Sequence, residues 1–245
     1  MSLQDELISL TNKENISSIS IYRHTVYVDS KYVGLSSIAN NDCQLRHEYK
    51  IINDVGKLHL KTADKLAKYF KSENFLERSI GLATINSYIN GPQILPKTEI
   101  INAFDLVKEK VIGKNLAIIG GFPNVKNVRE NYNCRNIWVF ELNKQYEYEL
   151  GPDKYAEYLP NADVVLMTAT TLLNNTFFEV HKHLNNSYNV MVGPSTPMHD
   201  LMFDYKMHAL SGTVVTDKIE SRLFLEQGAS YHDCRGLTFV TYLKK

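Results

Sequence analysis

The stretch NLAIIGG, residues 115–121, decides the fold class of this chain. Four consecutive apolar residues lead into a pair of glycines, and similar apolar runs recur in NIWVFE (136–141) and DVVLMT (163–168). Further runs follow at 189–193 and 210–216. Continuous apolar strands, rather than alternating ones, are typical of a sheet that is buried on both faces. These runs therefore predict a doubly wound, mostly parallel sheet.

A sixth strand is predicted at Leu237–Leu243. The segments before and between the predicted strands have helical character. The pattern of apolar residues favours helices before and between the strands. These helices are predicted at 103–111, 153–158, 175–184, 198–205 and 218–227.

The first half of the chain follows a different pattern. A short amphipathic helix is followed by three short runs of β-branched and aromatic residues, and then by two helices. The order indicates an α+β arrangement, with a small antiparallel sheet and helices on one face. The strands are predicted at 17–22, 25–28 and 32–37, and the later helices at 63–70 and 74–89. Leu95-Pro96-Lys97 divides the chain into predicted domains of residues 1–95 and 96–245.

The composition is that of an ordinary globular protein. The 245 residues include 27 Lys+Arg and 27 Asp+Glu, so the formal net charge is zero. A neutral chain has no overall field that attracts a polyanion, which disfavours nucleic acid as the main partner. No apolar stretch is long enough to cross a membrane. The N-terminus carries Asp5 and Glu6 where a signal peptide has basic residues, so we expect a cytoplasmic protein.

Metal ligands are not spaced as in a known metal motif. Cys43, Cys134 and Cys234 are far apart, which excludes a paired-cysteine zinc site of the usual spacing. Cys43 and His47 would face one metal only if their segment were helical. His199 and Asp200 are the best placed of the weak candidates, together with Glu141 at the end of a strand. A divalent metal ion stays open as a cofactor.

Small and hydroxylic residues follow each predicted parallel strand. In an open α/β sheet, ligands bind outside the carboxyl ends of the strands. We therefore expect a rim rich in hydrogen-bonding groups at that edge of the sheet. The candidate ligand-binding residues at this edge are Gly120, Gly121, Phe122, Pro123, Glu141, Thr168, Thr170, Thr171, Asn174, Gly193, Pro194, Ser195 and Thr196.

Several of these residues also have a purely structural interpretation. The two glycines do not form GxGxxG, and Pro123 removes a donor that a pyrophosphate needs, so a dinucleotide site is disfavoured. Glu141 stands where an acid holds a ribose in related folds, although many strands end in an acid without that role. Thr171 and Thr196 are also candidate helix N-caps, with Pro197 in the first helical turn.

With these residues in place, the chain resembles a family of prokaryotic proteins labelled "putative heavy-metal chelation". The resemblance spans nearly the whole chain. It implies an N-terminal domain similar to the enolase N-terminal domain and a C-terminal Rossmann-like domain. The family pattern has Asn-Gly-Thr where this chain has Asn174-Asn175-Thr176, and Asn tolerates the left-handed conformation that such a turn needs. The motifs are ERSIGLATINS (77–87), GFP (121–123), Glu141, PNADVV (160–165), TATTLLNNT (168–176), GPSTP (193–197) and SGTVVTD (211–217).

Two functions remain open at this point. The first is a binding protein that holds a metal, a metal chelate or a small anionic metabolite in a cleft between the domains. The second is an enzyme that uses a nucleoside-containing cofactor such as S-adenosylmethionine, with Glu141 on the ribose. In the second, Arg78 and Asn86 would close the site from the first half of the chain, and a surface ion pair is the equally weighted alternative for Arg78. A further hypothesis, the single-site hypothesis, is that the residues at the edge of the sheet form one site. It expects Gly121, Glu141, Thr170 and Ser195 to border one cleft.

The oligomeric state is left open, and a homo-oligomer is one possibility.

Overall fold

The computed structural model of this chain describes residues 1–38 and 52–244. The first half contains a three-stranded antiparallel sheet in the order β1-β2-β3. One long helix, α3, packs against β2 and β3 of this sheet. The elements are α1 (Leu3–Ser9), β1 (Ser18–Ile21), β2 (Thr25–Asp29), β3 (Val33–Ser37), α2 (Ala63–Leu66) and α3 (Phe75–Ile89).

The second half contains an eight-stranded sheet. Its strands are β4 (Thr98–Glu99), β5 (Asn115–Ile119), β6 (Asn136–Phe140), β7 (Glu149–Leu150), β8 (Val164–Thr168), β9 (Tyr188–Val192), β10 (Ala209–Val215) and β11 (Leu237–Leu243). The α-helices between them are α4 (Ala103–Lys108), α5 (Val125–Asn131), α6 (Tyr155–Tyr158), α7 (Phe177–His181), α8 (Leu201–Asp204) and α9 (Lys218–Glu226).

The order of the strands defines where a ligand can enter. Across the sheet the order is β4-β11-β10-β9-β8-β5-β6-β7, and neighbouring strands from β10 to β7 are parallel. The chain adds β6 and β7 on one side of β5 and then returns to add β8, β9 and β10 on the other side. The order therefore reverses between β5 and β8, and a crevice forms outside the carboxyl ends at such a point.

Strand β5 shows why the apolar runs are continuous. Ala117 and Ile119 belong to the hydrophobic cluster that also contains Leu82 and Ile85 of α3. Leu116 and Ile118 belong to a second cluster, on the α4 side of the sheet. Both faces of the strand are therefore buried, as the sequence predicted. The first cluster includes residues from both halves of the chain, so the core is continuous between them.

Helix α3 is buried around almost its whole circumference. Every residue from Glu77 to Ile89 is buried. Two glycines allow the close packing: a Cβ on Gly81 would lie 2.0 Å from the backbone nitrogen of Phe70, and a Cβ on Gly34 would lie 2.0 Å from the carbonyl oxygen of Ala83. The side chain of Asn74 caps the helix by accepting from the N–H groups of Leu76 and Glu77.

The coarse fold prediction is confirmed: a mixed α/β fold has one large, mostly parallel sheet and one small antiparallel sheet. Some elements differ from the prediction. The predicted sixth strand, β11, is antiparallel to β10 and pairs with β4, which was not predicted. The helix predicted at 63–70 changes after Leu66 to a 3-10 helix, Ala67–Lys71. The domain boundary after residue 95 stays a prediction.

The helix predicted at 198–205 begins only at Leu201. Thr196 does not cap it, because its hydroxyl donates to the carbonyl oxygen of Ser211, 3.0 Å away. The N–H of Met198 donates to the side chain of Asn90 at 3.0 Å. These long-range bonds hold the chain outside helical geometry. Thr171 is not an N-cap either, because its hydroxyl donates to the carbonyl oxygen of Thr168, whose own side chain takes the capping position.

No helix in the described part of the chain is both long and apolar enough to span a membrane. A cytoplasmic location and a homo-oligomer stay predictions.

Candidate functional site

A cavity of about 520 Å³ lies at the carboxyl ends of the parallel strands. Its size is typical of small-molecule sites. Its walls include residues that follow β5, β6, β8 and β9, and Ser37 at the end of β3 contributes from the small sheet. The cavity therefore spans the place where the strand order reverses, and both halves of the chain contribute to it.

Twelve of the fifteen predicted ligand residues line this cavity. Gly121, Glu141, Thr170 and Ser195, the four residues of the single-site hypothesis, are among them. The others are Gly120, Phe122, Pro123, Thr168, Thr171, Asn174, Gly193 and Pro194. The structure therefore brings these residues together around one space. Whether they bind a ligand stays a prediction.

Arg78, Asn86 and Thr196 are not part of the lining. The guanidinium of Arg78 donates to the carbonyl oxygen of Ser72 at 2.9 Å and lies over the ring of Phe75. The amide of Asn86 donates to the carbonyl oxygens of Leu35, at 2.9 Å, and Ser195, at 3.3 Å. These side chains therefore hold neighbouring segments together, which the sequence did not indicate.

Ser195 has a structural role at the edge of the cavity. Its hydroxyl oxygen accepts from the N–H of Ser37 at 2.7 Å and lies 3.2 Å from the hydroxyl of Ser36. The side chain is fully buried. Asn90, which was not predicted, donates to the carbonyl oxygen of Thr196 at 2.8 Å and accepts from Met198. The segment after β9 is therefore fastened to β3 and α3 by buried hydrogen bonds.

Backbone geometry keeps the rim after β5 open. Gly120 has φ of +104°, and a Cβ there would lie 2.5 Å from the Thr168 side chain. At Gly121 a Cβ would lie 3.7 Å from the carboxyl carbon of Glu141, which is an ordinary contact.

Asn175 has φ of +61°, so it adopts the left-handed conformation expected from the family pattern.

Glu141 follows β6 and is partly buried in the cavity wall. Burial raises the pKa of its carboxyl group, and the negative charge of Glu149 raises this pKa further. A hydrogen bond from the Gly121 N–H lowers it and only partly offsets the increase. A ligand that donates hydrogen bonds or carries positive charge would relieve this cost.

Another part of the cavity wall comes from the segment 145–149, which was not predicted from the sequence. Glu149 is buried, and one of its carboxylate oxygens accepts from the N–H groups of Gln145, at 2.6 Å, and Tyr146, at 3.1 Å. Tyr146 stacks on Tyr148 with ring centroids 5.2 Å apart, and both rings line the cavity. Residues 146–148 form a bend and a turn, and β7 contains only Glu149 and Leu150, so no strand pattern in the sequence marks this segment.

The lining has an unbalanced charge. Glu141 and Glu149 are its acids, and no Lys, Arg or His lines the cavity among the residues that the structure describes. The remaining polar groups are hydroxyls, amides and backbone groups. Such a surface repels an anionic ligand and suits a neutral or cationic one.

The weak metal candidates do not come together. His199 accepts through Nδ1 from the N–H of Leu201, Asp200 accepts from the hydroxyl of Tyr242, and neither lines the cavity with Glu141. Within residues 1–38 and 52–244, no three His, Cys, Asp or Glu side chains form a group that fits a metal ion. Cys43 and His47 lie outside the described residues. A metal ion bound by the described residues would therefore also need ligands that are not side chains of these residues.

The raised pKa of Glu141 gives a test of its environment. Its folded-state pKa lies above the unfolded one, so the charged carboxylate costs stability above that pKa and the cost disappears in acid. We expect Glu141→Gln to be more stable than the natural protein at pH 7, with the difference shrinking as the pH falls towards the ordinary value of 4.5. Urea unfolding of both proteins between about pH 4 and pH 8 measures this. A difference that does not change with pH would contradict the burial of this charge.

Comparison with known proteins shows two family models that match this chain. Both are described as "Putative heavy-metal chelation", and they match residues 4–89 and 102–244. A protein of Methanocaldococcus jannaschii with the name "Uncharacterized protein" is 25% identical over 186 residues, which are 69% of this chain and 67% of that protein.

Solved structures of two proteins from the DUF364 family, both titled as of unknown function, share this fold. One, from Desulfitobacterium hafniense, has a TM-score of 0.86 and 22% identity, and the match covers 99% of this chain and 98% of that one. The other, from Pyrococcus horikoshii, has a TM-score of 0.81 and 19% identity, with 98% of each chain covered.

Proposed function

This chain belongs to the family described as "Putative heavy-metal chelation", and we propose that its cavity binds a small metal chelate of neutral or positive charge. The observation that carries the proposal is the acidic lining, with Glu141 and Glu149 and no basic side chain among the described residues. A small anionic metabolite, which the sequence left open, does not suit this charge.

The form of the metal follows from the ligands that are present. Heavy metals prefer thiolate and imidazole ligands, whereas the described cavity wall offers carboxylates, hydroxyls and amides. Because these residues do not assemble three metal ligands, the proposed ligand arrives already chelated. The wall would then recognise the outside of the chelate by its charge and its hydrogen-bond donors.

Glu141→Gln tests this recognition. The probe is tris(ethylenediamine)cobalt(III), an inert cation whose amines donate hydrogen bonds. We expect the variant to fold and to lose about 1.5–3 kcal/mol of binding free energy, the value for a hydrogen bond to a charged group. Isothermal titration at physiological salt measures the affinity.

The matched control is Glu130→Gln, an exposed acid on α5 that does not line the cavity. It carries the same change of charge, so we expect it to leave the affinity unchanged. Equal losses in both variants would mean that the cation binds by its charge to the whole surface, and the proposed site would be wrong.

A nucleoside-containing cofactor is the second candidate, and the strand order favours it. From β7 to β10 the strands follow the order 3-2-1-4-5-6 of dinucleotide-binding sheets. Glu141 directly follows β6, which is the second strand in that numbering, and in dinucleotide-binding sheets an acid at this position binds a ribose. Tyr146 is 58% exposed and lines the same cavity, so its ring offers a stacking surface.

Adenosine and S-adenosylmethionine test the second candidate. If it is correct, both stabilise the protein in a thermal-shift measurement, and Tyr146→Ala weakens them by about 1–3 kcal/mol, as expected for the loss of base stacking. Tyr146→Phe keeps the ring and is the control. If neither compound raises the melting temperature, the nucleoside function is excluded.

A further inference from the structure

A second cavity, of about 500 Å³, lies beside the first and has a different character. The residues on the walls of both cavities are Phe122, Pro123, Val192, Gly193 and Tyr231. The second cavity extends from there along the beginning of α4 and the strands β10 and β11. Of the ligand-binding residues predicted from the sequence, Phe122, Pro123 and Gly193 line it, but a second cavity was not predicted.

Aromatic rings dominate this second cavity. Phe104 meets Phe122 edge to face, with ring centroids 5.4 Å apart. His232 stacks on Phe239 at 6.1 Å, and Tyr231 lies 4.0 Å from His232. All five residues line the cavity. Aromatic walls of this kind favour a flat ring, which they can contact by its face or its edge.

One polar group on this wall has no partner. Thr213 of β10 is 4% exposed, and its hydroxyl is buried without a hydrogen bond in the structure. A buried hydroxyl without a partner costs free energy, which a ligand can recover. Thr213 is itself one of the residues that line the cavity, so a ligand bound there lies next to this side chain. Asp105 is the acid of the described lining, and no Lys or Arg accompanies it.

We propose that the second cavity is a binding site for an uncharged planar ring that carries one hydrogen-bonding group, as in a phenol. The rings of Phe104, Phe122 and Phe239 contact the ring of the ligand. The hydroxyl of Thr213 pairs with its polar group. The two cavities share part of their walls, but this proposal does not rest on the ligand proposed for the first cavity.

Phenol and toluene are matched probes, because they have nearly the same shape and differ in one hydrogen-bonding group. We expect saturable binding of both by ligand-observed NMR titration, with phenol the tighter. Thr213→Val removes the hydroxyl and keeps the shape. It should weaken phenol about three- to tenfold, as for one hydrogen bond, and leave toluene unchanged.

Two further variants locate the site. Phe239→Ala removes a wall that is 36% exposed, so the protein should fold and bind both probes more weakly. Thr238→Val, on the same strand but outside the cavity lining, should change neither. The proposal is overturned if neither probe saturates, if Phe239→Ala leaves both affinities unchanged, or if Thr213→Val weakens phenol and toluene equally.

Discussion

Gly81→Ala is expected to lower the free energy of unfolding by about 3 kcal/mol or more, the upper range for overpacking a core. The added Cβ would lie 2.0 Å from the backbone nitrogen of Phe70, and further backbone atoms lie at 2.7 Å. Backbone cannot rotate away as a side chain can, so the 3-10 helix that contains Phe70 must separate from α3. Both elements belong to the core, which is closely packed.

Urea unfolding followed by circular dichroism measures this loss, and poor soluble expression would be its extreme form. Gly121→Ala is the control, because its Cβ would make only ordinary contacts, 3.7–3.9 Å from the Glu141 carboxyl group. We expect the free energy of unfolding of this control to lie within about 1 kcal/mol of that of the natural protein, because alanine is compatible with the backbone conformation there. A Gly81→Ala protein as stable as the control would show that α3 does not pack this closely.

Asn90→Ala is expected to cost about 2–4 kcal/mol of stability. Its amide donates to the carbonyl oxygen of Thr196, its carbonyl oxygen accepts from the N–H of Met198, and the residue is 2% exposed. Removing the side chain leaves two buried backbone groups without partners, each at about 1–3 kcal/mol. Water that enters the space would reduce the loss towards the lower value.

The control for Asn90→Ala is Asn131→Ala, since Asn131 donates to Asn127 on an exposed helix surface. We expect the control to change stability by less than about 0.5 kcal/mol. Denaturant unfolding of both variants gives the comparison. Similar small losses in both would mean that the segment after β9 is not held by Asn90.

The large sheet could be predicted because its strands are buried on both faces. A run such as Leu116-Ala117-Ile118-Ile119 records this burial locally. The strands β4 and β7 contain two residues each, which is too short for any period to appear. The late start of α8 depends on Asn90, which is more than 100 residues away. A contact at that distance leaves no pattern around the helix itself.

Twelve of the 26 described residues that line the first cavity were predicted, because parallel strands end at one edge of the sheet. Thr170 and Gly193, for example, follow adjacent strands and line the same space. Tyr146 and Glu149 were missed because Tyr146 lies in the turn before β7 and Glu149 is the first residue of that two-residue strand, which the sequence did not reveal. Arg78 and Asn86 carry polar groups on a helix that faces the rest of the core, and such groups can bond to backbone as well as to a ligand. Sequence alone does not distinguish these two uses.

The charge preference of the first cavity tests the central claim most directly. Two inert cobalt(III) chelates form the comparison: the tris(ethylenediamine) cation and the anion with ethylenediaminetetraacetate. Isothermal titration of each into the natural protein, at about 0.15 M salt, limits the contribution of distant charges. The acidic lining predicts that the cation binds at least about tenfold more tightly, and that this preference falls in Glu141→Gln. Equal affinities, or tighter binding of the anion, would contradict the proposed function.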